Sequence, residues 1–271
     1  MLGSRVGSCE SARLARRAVD PYLYTSPRGV GSAFWHMAGE NTMSTEIDTM
    51  LVVAADSEAR AVLSAFGFPD EDPEELTRLD GGVWLLRTGI GKANAAGAVG
   101  VTLATNPALQ VISLGLGGSL PDSGLSIGDR VLASRSVFAD EGVDTPNGFL
   151  DCRSMGFPLY QDDHGKGVEG DPELINRIRG VVDHESVVAT VSTCSGRDEL
   201  ATRIRRRTGA GVECMEGAAV LLTCHRMGVP AAEIRVISNT TGDREKQVWD
   251  IGLSLRVLGE TARALSDVLS G

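Results

Sequence analysis

The chain predicts an α/β fold, with helices layered on a largely parallel sheet, and three observations carry that expectation. Apolar runs of strand length alternate with helical stretches from residue 50 to the C-terminus. Several of the runs stop at a helix N-cap residue or a glycine-rich turn. No linker and no internal repeat interrupts residues 47–271, which are expected to form one domain.

Residues 50–55, Met-Leu-Val-Val-Ala-Ala, are apolar throughout, as a buried strand is. Asp56-Ser57 is an N-cap signal, and 58–66 follows as a helix. Residues 67–82 carry Pro, Asp and Glu and are expected as loop. A second strand covers 83–88, and Gly89-Ile90-Gly91-Lys92 turns into an Ala-rich helix over 93–105. Residues 110–115 read as a third strand that ends in a glycine-rich turn, and Gly128-Asp129 introduces a strand over 130–138. Residues 139–170 look irregular; so long a stretch inside a compact domain is usually functional or mobile. Asp171-Pro172-Glu173 starts a helix, with Asp as N-cap and Pro at the first helical position. A strand is expected over 187–193, a helix over 199–208, an apolar helix over 215–227 and a strand over 232–238. The last helix sets Ile251, Leu255, Leu258, Ala262, Leu265 and Leu269 on one face, at steps of four and three.

Composition narrows the function classes. A net charge of −10 argues against nucleic acid or an anionic membrane as partner. An aromatic content of 4% leaves little for stacking on single strands. The arginines of 203–207 are expected on a solvated helix face. The five cysteines are irregularly spaced and include no CxxC, which suits reduced thiols in a cytoplasmic protein. Neither HExxH nor a Cys/His pattern occurs, so neither a metal nor a cofactor is expected. No apolar run reaches the ~18–20 residues that span a bilayer. Residues 1–46 stand apart, rich in Gly, Ser, Arg and Ala, and made basic by Arg5, Arg13, Arg16 and Arg17. They lack the apolar core of a secretory signal. A disordered tail, or an extension upstream of a start near Met43 or Met50, is expected there ahead of a targeting peptide.

Two glycine-rich turns after strands invite a dinucleotide-binding reading. Gly89-Ile90-Gly91-Lys92-Ala93-Asn94 has Asn where the third Gly belongs, and Gly115-Leu116-Gly117-Gly118-Ser119-Leu120 ends in Leu. Neither is followed by a convincing acidic residue for a ribose, and GxxxxGK[ST] is absent.

Taken in order, five segments are specific. They are Ala55-Asp56-Ser57-Glu58, Thr88 to Ala96 (Thr-Gly-Ile-Gly-Lys-Ala-Asn-Ala-Ala), Gly115 to Leu120 with Ile127-Gly128-Asp129, Glu213-Cys214-Met215-Glu216-Gly217, and Ile234 to Asn239. Over roughly residues 50–270 this order resembles the purine nucleoside phosphorylase/nucleosidase superfamily. Ser238-Asn239 with Gly242-Asp243-Arg244 and Trp249-Asp250 is most similar to its futalosine hydrolase branch, with the methylthioadenosine/S-adenosylhomocysteine nucleosidases next. The resemblance implies a three-layer α/β/α sandwich with a mixed, largely parallel central sheet, assembled as a homodimer or larger. It implies a purine nucleoside as substrate and hydrolysis of its N-ribosidic bond, with futalosine releasing hypoxanthine in menaquinone biosynthesis. The alternatives are a methylthioadenosine/S-adenosylhomocysteine nucleosidase, a phosphate-dependent phosphorylase, or a binding protein without turnover.

Such a hydrolysis needs a base that accepts charge, a sugar that tolerates an oxocarbenium-like state and a water aimed at C1′. The resemblance assigns water activation to Glu58, which otherwise reads as an ordinary acid at a helix N-terminus. It assigns the ribose hydroxyls to Glu216, since a carboxylate has about four lone-pair sites, and the ribose face to Met215. Leu116, Gly117 and Gly118 are expected to bring backbone N–H groups near sugar and base. Asn239 stands where adenosine-cleaving relatives carry Asp. An amide can donate to N7 or a 6-oxo group but cannot deliver a proton as an acid, which points to hypoxanthine. Residues 193–200 match the segment along the base, without the aromatic of the adenosine-cleaving relatives. Asp243 and Arg244 are expected either to close the site on the benzoate end of futalosine or to form a surface ion pair. Phosphorylases of the superfamily read Gly-Asp-Pro-x-Arg in the first loop; Glu58 there favours water, while Arg60 and Arg87 keep phosphate open.

Overall fold

The computed structural model describes residues 47–69, 71–160 and 167–269. They lie within one compact unit, Thr45–Gly271. The expectations for residues 1–46 fall outside the described residues. The strands are β1 (Ile47–Val53), β2 (Leu76–Asp80), β3 (Val83–Arg87), β4 (Ala108–Ser119), β5 (Arg130–Phe138), β6 (Gly142–Thr145), β7 (Gly148–Asp151), β8 (His184–Thr190), β9 (Val212–Cys214) and β10 (Ala231–Thr240). The helices are α1 (Asp56–Ala65), α2 (Lys92–Thr105), α3 (Pro172–Ile178), α4 (Asp198–Thr208), α5 (Gly217–Met227) and α6 (Ile251–Leu269).

Eight strands form one mixed sheet in the order β10-β5-β8-β9-β4-β1-β3-β2, and β10 also pairs with β4. That extra pairing closes β4, β9, β8, β5 and β10 into a ring, from which β1, β3 and β2 extend. The pairings of β1 with β3 and β4, of β4 with β10, and of β8 with β5 and β9 are parallel. Those of β10 with β5, β2 with β3 and β4 with β9 are antiparallel. The side chains of β1 alternate between two cores, as successive residues of a strand must. Leu51 and Val53 join Val62 and Leu63 of α1 and Leu258, Ala262, Leu265 and Leu269 of α6. Met50 and Val52 join Ala95 and Val99 of α2 and Val220 and Leu221 of α5. Helices thus cover both faces of the sheet, as the resemblance implied.

The structure corrects four local readings. Residues 67–82 contain β2, a short edge strand whose five residues carry two polar side chains outward. The stretch 139–170 contains the hairpin β6–β7. The three-residue strand β9 is too short to leave a periodic signal. The glycine-rich segment 115–118 is strand rather than turn, because β4 runs on to Ser119. Of the expected α6 stripe, Ile251 is exposed, since it opens the helix. Among the described residues no helix is long and apolar enough to cross a membrane.

Candidate active site

β4 changes neighbours along one edge. β1 pairs with it as far as Ser113, and β9 takes over at Gly118. Between those points the edge has no strand partner among the described residues. Ligands in α/β sheets bind at such switch points.

Glu58 fills this gap. It is the third residue of α1 and is buried. Its Oε1 accepts the N–H of Leu116 at 2.8 Å, inside the gap. Its Oε2 accepts the N–H groups of Ala54 and Ala55, both at 2.9 Å. The bond to Ala55, the N-cap, is one half of a capping box. The carboxylate therefore serves the helix terminus and reaches the β4 edge at once. Three backbone donors use three of about four lone-pair directions and leave one.

Met215 and Glu216 form the bend between β9 and α5, so the helix begins two residues later than the sequence suggests. Glu216 is the N-cap residue; its carbonyl accepts Ala219 N–H at 2.8 Å and Val220 N–H at 3.1 Å. Its side chain does not cap the helix but leaves it, and Oε1 accepts Gly91 N–H at 2.9 Å. Gly91 sits at φ +95°, a conformation that side chains rarely adopt. Burial raises the Glu216 pKa, Arg235 and the Gly91 N–H oppose this, and the charge of Glu58 adds to it. Met215 beside it is half-buried.

Arg235 and Glu233 belong to the site as well, and the sequence reading passed over them. They point to one face of β10 in a strand otherwise apolar around them, and that i, i+2 charge pair was the available signal. Arg235 is 2% exposed; its Nε donates to Glu233 Oε1 at 2.8 Å and its Nη2 to Ser113 Oγ at 2.8 Å. Ser136 Oγ and Cys214 Sγ donate to the same carboxylate. Burial works against the Arg235 charge, and the pull of Cys214, Glu233 and Glu216 outweighs it. A Cβ on Gly115 would lie 2.3 Å from Arg235 Nη1 and 3.0 Å from Glu58 Oε1. The guanidinium and the Glu58 carboxylate meet around that glycine.

Asn239 lies farther along, after a register shift in β10. It is buried; Oδ1 accepts Ser238 Oγ–H at 2.8 Å and Nδ2 donates to Thr240 O at 2.8 Å. The Thr240 carbonyl fixes the amide's orientation and leaves one N–H of Nδ2 to offer. Gly118 is its register partner, and a Cβ there would approach Nδ2 to 3.1 Å. Gly117 instead packs under Val212, 2.6 Å from where its Cβ would be. The loop 191–197 is bound to the loop after β10: Gln247 Nε2 donates to Ser195 O at 3.0 Å, and Arg244 N–H to Gly196 O at 3.1 Å. Asp198 and Asp243 each accept the other's N–H, and Lys246 pairs with Asp243 at 2.7 Å. Arg244 stacks on Trp249, 4.6 Å from the ring centre. Asp243 thus serves a surface ion pair and a loop clasp.

Convergent charges and backbone donors define the site, not cavity volume. The groove of about 650 Å³ between α1 and α6 is lined by Ser57, Arg60 and Leu255 but by none of Glu58, Glu216 and Asn239. Among the described residues no cluster of three His, Cys, Asp or Glu could hold a metal ion.

The family described as the Phosphorylase superfamily matches residues 52–270. The futalosine hydrolase of Thermus thermophilus is 36% identical over 184 residues, 66% of this chain and 79% of that protein. That of Streptomyces coelicolor is 31% identical over 230 residues, covering 81% and 95%. The crystal structure of 5′-methylthioadenosine/S-adenosylhomocysteine nucleosidase from Helicobacter pylori superposes with a TM-score of 0.65 at 19% identity, over 82% of this chain and 98% of that one. That last likeness bears on the fold alone. With the family match over residues 52–270 and the two hydrolase relatives, the chain belongs to the phosphorylase superfamily and, within it, to the futalosine hydrolases.

Proposed function

We propose that residues 47–271 hydrolyse the N-ribosidic bond of futalosine and release hypoxanthine, a step of menaquinone biosynthesis. One observation carries the choice of water over phosphate. Glu58 is fixed by three backbone donors near a second buried carboxylate, Glu216, and the cations around them are already paired. Arg235 is bound to Glu233, Arg87 to Asp56 at 2.8 Å and Arg60 to Asp72 at 2.5 Å. A phosphate dianion would meet carboxylates there and, among the described residues, cations already engaged in ion pairs.

In the proposed reaction the C1′–N9 bond breaks and its electron pair goes to the base. The free lone pair of Glu58 takes a proton from water as the water oxygen bonds to C1′. Glu216 accepts the ribose hydroxyls and sets negative charge near the developing cation. Met215 packs on the ribose, the backbone at Leu116, Gly117 and Gly118 borders sugar and base, and Asn239 donates its remaining N–H to hypoxanthine. The departing purine anion takes its proton from solvent water and leaves neutral, and Glu58 returns the proton it took to solvent.

The chain is read as a cytoplasmic homo-oligomer. Among the described residues all four cysteines are free thiols, as a reducing compartment allows. Val143 and Leu150 of the β6–β7 hairpin and Phe157 beside it are exposed apolar groups that a second subunit would cover. Light scattering measures the assembly directly.

Base release from futalosine, inosine and methylthioadenosine, each with and without phosphate, tests the reaction. Futalosine is expected to be cleaved fastest and without phosphate. Strict phosphate dependence would overturn hydrolysis, and a preference for methylthioadenosine would overturn the role given to Asn239.

A further inference from the structure

Five anchors hold the loop 191–197. Val191 N–H donates to Cys214 O at 2.9 Å, Ser192 N–H donates to Asp140, Gly196 O accepts Arg244 N–H, and Ser195 O accepts the Gln247 amide. The fifth is Glu213, in β9. Its Oε1 accepts Ser195 N–H at 2.7 Å and its Oε2 accepts the Ser195 hydroxyl. Glu213 is 4% exposed and Ser195 3%. No Lys, Arg or His pairs with Glu213 among the described residues.

With the Val191 bond it joins the loop to β9, and alone among the five it does so through a buried carboxylate. Glu213 lies three residues before Glu216, which follows in the bend after β9, and in register with Gly118, the residue against Asn239. Cys194, next to Ser195, feels the charges of both Glu213 and Glu216. A bidentate carboxylate therefore ties the loop to the strand that leads into Glu216 and to the level of Asn239. A buried carboxylate would hardly be kept merely to fasten a loop that has four other anchors, because burying it costs free energy.

We propose that Glu213 is a positioning residue, whose carboxylate holds Ser195 and so sets the wall of the base pocket relative to Glu216 and Asn239. The inference rests on the reading of the site as a nucleoside hydrolase. It predicts that Glu213 governs affinity for the base more than the rate of bond cleavage.

Its protonation adds a second consequence. Burial raises the Glu213 pKa, the Ser195 bonds oppose this, and Asp140, in the segment after β5, adds to it. The titratable groups facing it are Asp140 and, from the loop, Cys194. Once protonated, the carboxyl keeps an acceptor for Ser195 N–H and turns the hydroxyl bond round, but it loses the charge that strengthens both bonds, so the loop loosens as pH falls.

The test compares Glu213→Ala with Glu213→Gln on futalosine. A glutamine can accept Ser195 N–H and donate to the Ser195 hydroxyl, which reverses its own bond. The Ala variant is expected to raise KM about tenfold with kcat within about threefold, while Gln brings KM back to the value wild type reaches at acid pH, within about threefold of its neutral value. Inhibition by free hypoxanthine weakens in the Ala variant and inhibition by ribose does not. In wild type KM rises on the acid side, and in the Gln variant that rise is lost. Should the Ala variant fail to fold, the Gln pH profile still decides. An unchanged acid-side rise in the Gln variant, or an equal loss of hypoxanthine and ribose affinity in a folded Ala variant, overturns the inference. A wild-type chain inactive on every nucleoside would instead overturn the hydrolase reading.

Discussion

At the end of the proposed site assigned to the sugar, two carboxylates are held by backbone N–H groups: Ala54, Ala55 and Leu116 for Glu58, and Gly91 for Glu216. The nearby Arg235 is locked to Glu233 and Ser113. At the base end, a neutral amide, Asn239, is held by its own neighbours Ser238 and Thr240, and the facing loop is pinned by side chains. Charge at one end is positioned by the sheet and the turns that leave it. The neutral amide at the other, proposed to select the base, is positioned beside loops. The first arrangement has little room to adjust, because a strand edge cannot move without its neighbours, while a loop can.

The largest effect is expected at the sugar end. Glu216→Gln keeps an acceptor for Gly91 N–H but loses the charge, and kcat is expected to fall on the order of 10²–10³-fold. Stability should move the other way. The folded-state pKa of Glu216 is raised, chiefly by burial, so its contribution to stability is full at low pH and is lost as pH rises through that raised value. At neutral pH the ionised group costs stability, and the neutral amide is expected to raise the Tm there. A variant both inactive and less stable would show that Glu216 is held by compensating contacts rather than against its own burial cost.

Gly115 tests whether the sugar end is as unforgiving as its geometry suggests. An alanine there would press on Arg235 Nη1 and Glu58 Oε1 together, and the strand on either side is paired. A loss of about 1–3 kcal/mol in chemical unfolding is expected, with a drop in kcat. Gly118→Ala at the base end meets the Thr241 methyl and the Asn239 amide, both near a loop, and is expected to raise KM more than it lowers kcat.

The two ends also differ in how readable they were. Glu58, Glu216 and Asn239 sit at chain punctuation, an N-cap turn, a strand-to-helix bend and a strand end, where order along the chain fixes their neighbours. Arg235 and Glu233 were missed because a buried ion pair inside an apolar strand depends on Ser113, Ser136 and Cys214, which come from three other strands. Glu213 was quoted within a motif without a role, since its partner Ser195 lies 18 residues earlier. The alternation of strands and helices was legible from β1 to α6. Ring closure was not, because the β10–β4 pairing joins residues more than a hundred positions apart.

Asn239→Asp probes the selectivity of the base end. The Thr240 carbonyl needs a donor at the position of Nδ2, so an aspartic acid must carry a proton to keep that contact. The variant is expected to lose about tenfold to a hundredfold in kcat/KM for futalosine and to gain cleavage of methylthioadenosine. Unchanged selectivity would mean that the loop, and not the amide, chooses the base.

The smallest effect is expected at the clasp on the outside of the same loop. Asp243 accepts Asp198 N–H at 3.1 Å and pairs with Lys246, whose side chain is 74% exposed. The bond to Lys246 lowers the Asp243 pKa, yet the group is open to solvent and screened. Asp243→Ala leaves the Gln247 and Glu213 anchors of the loop in place, so KM is expected to rise less than about threefold with kcat unchanged. Salt should reproduce part of that rise in wild type and have no further effect on the variant. A rise as large as that of Glu213→Ala would place control of the base wall at the solvent-facing clasp, where ionic strength could tune it, instead of at the buried pin.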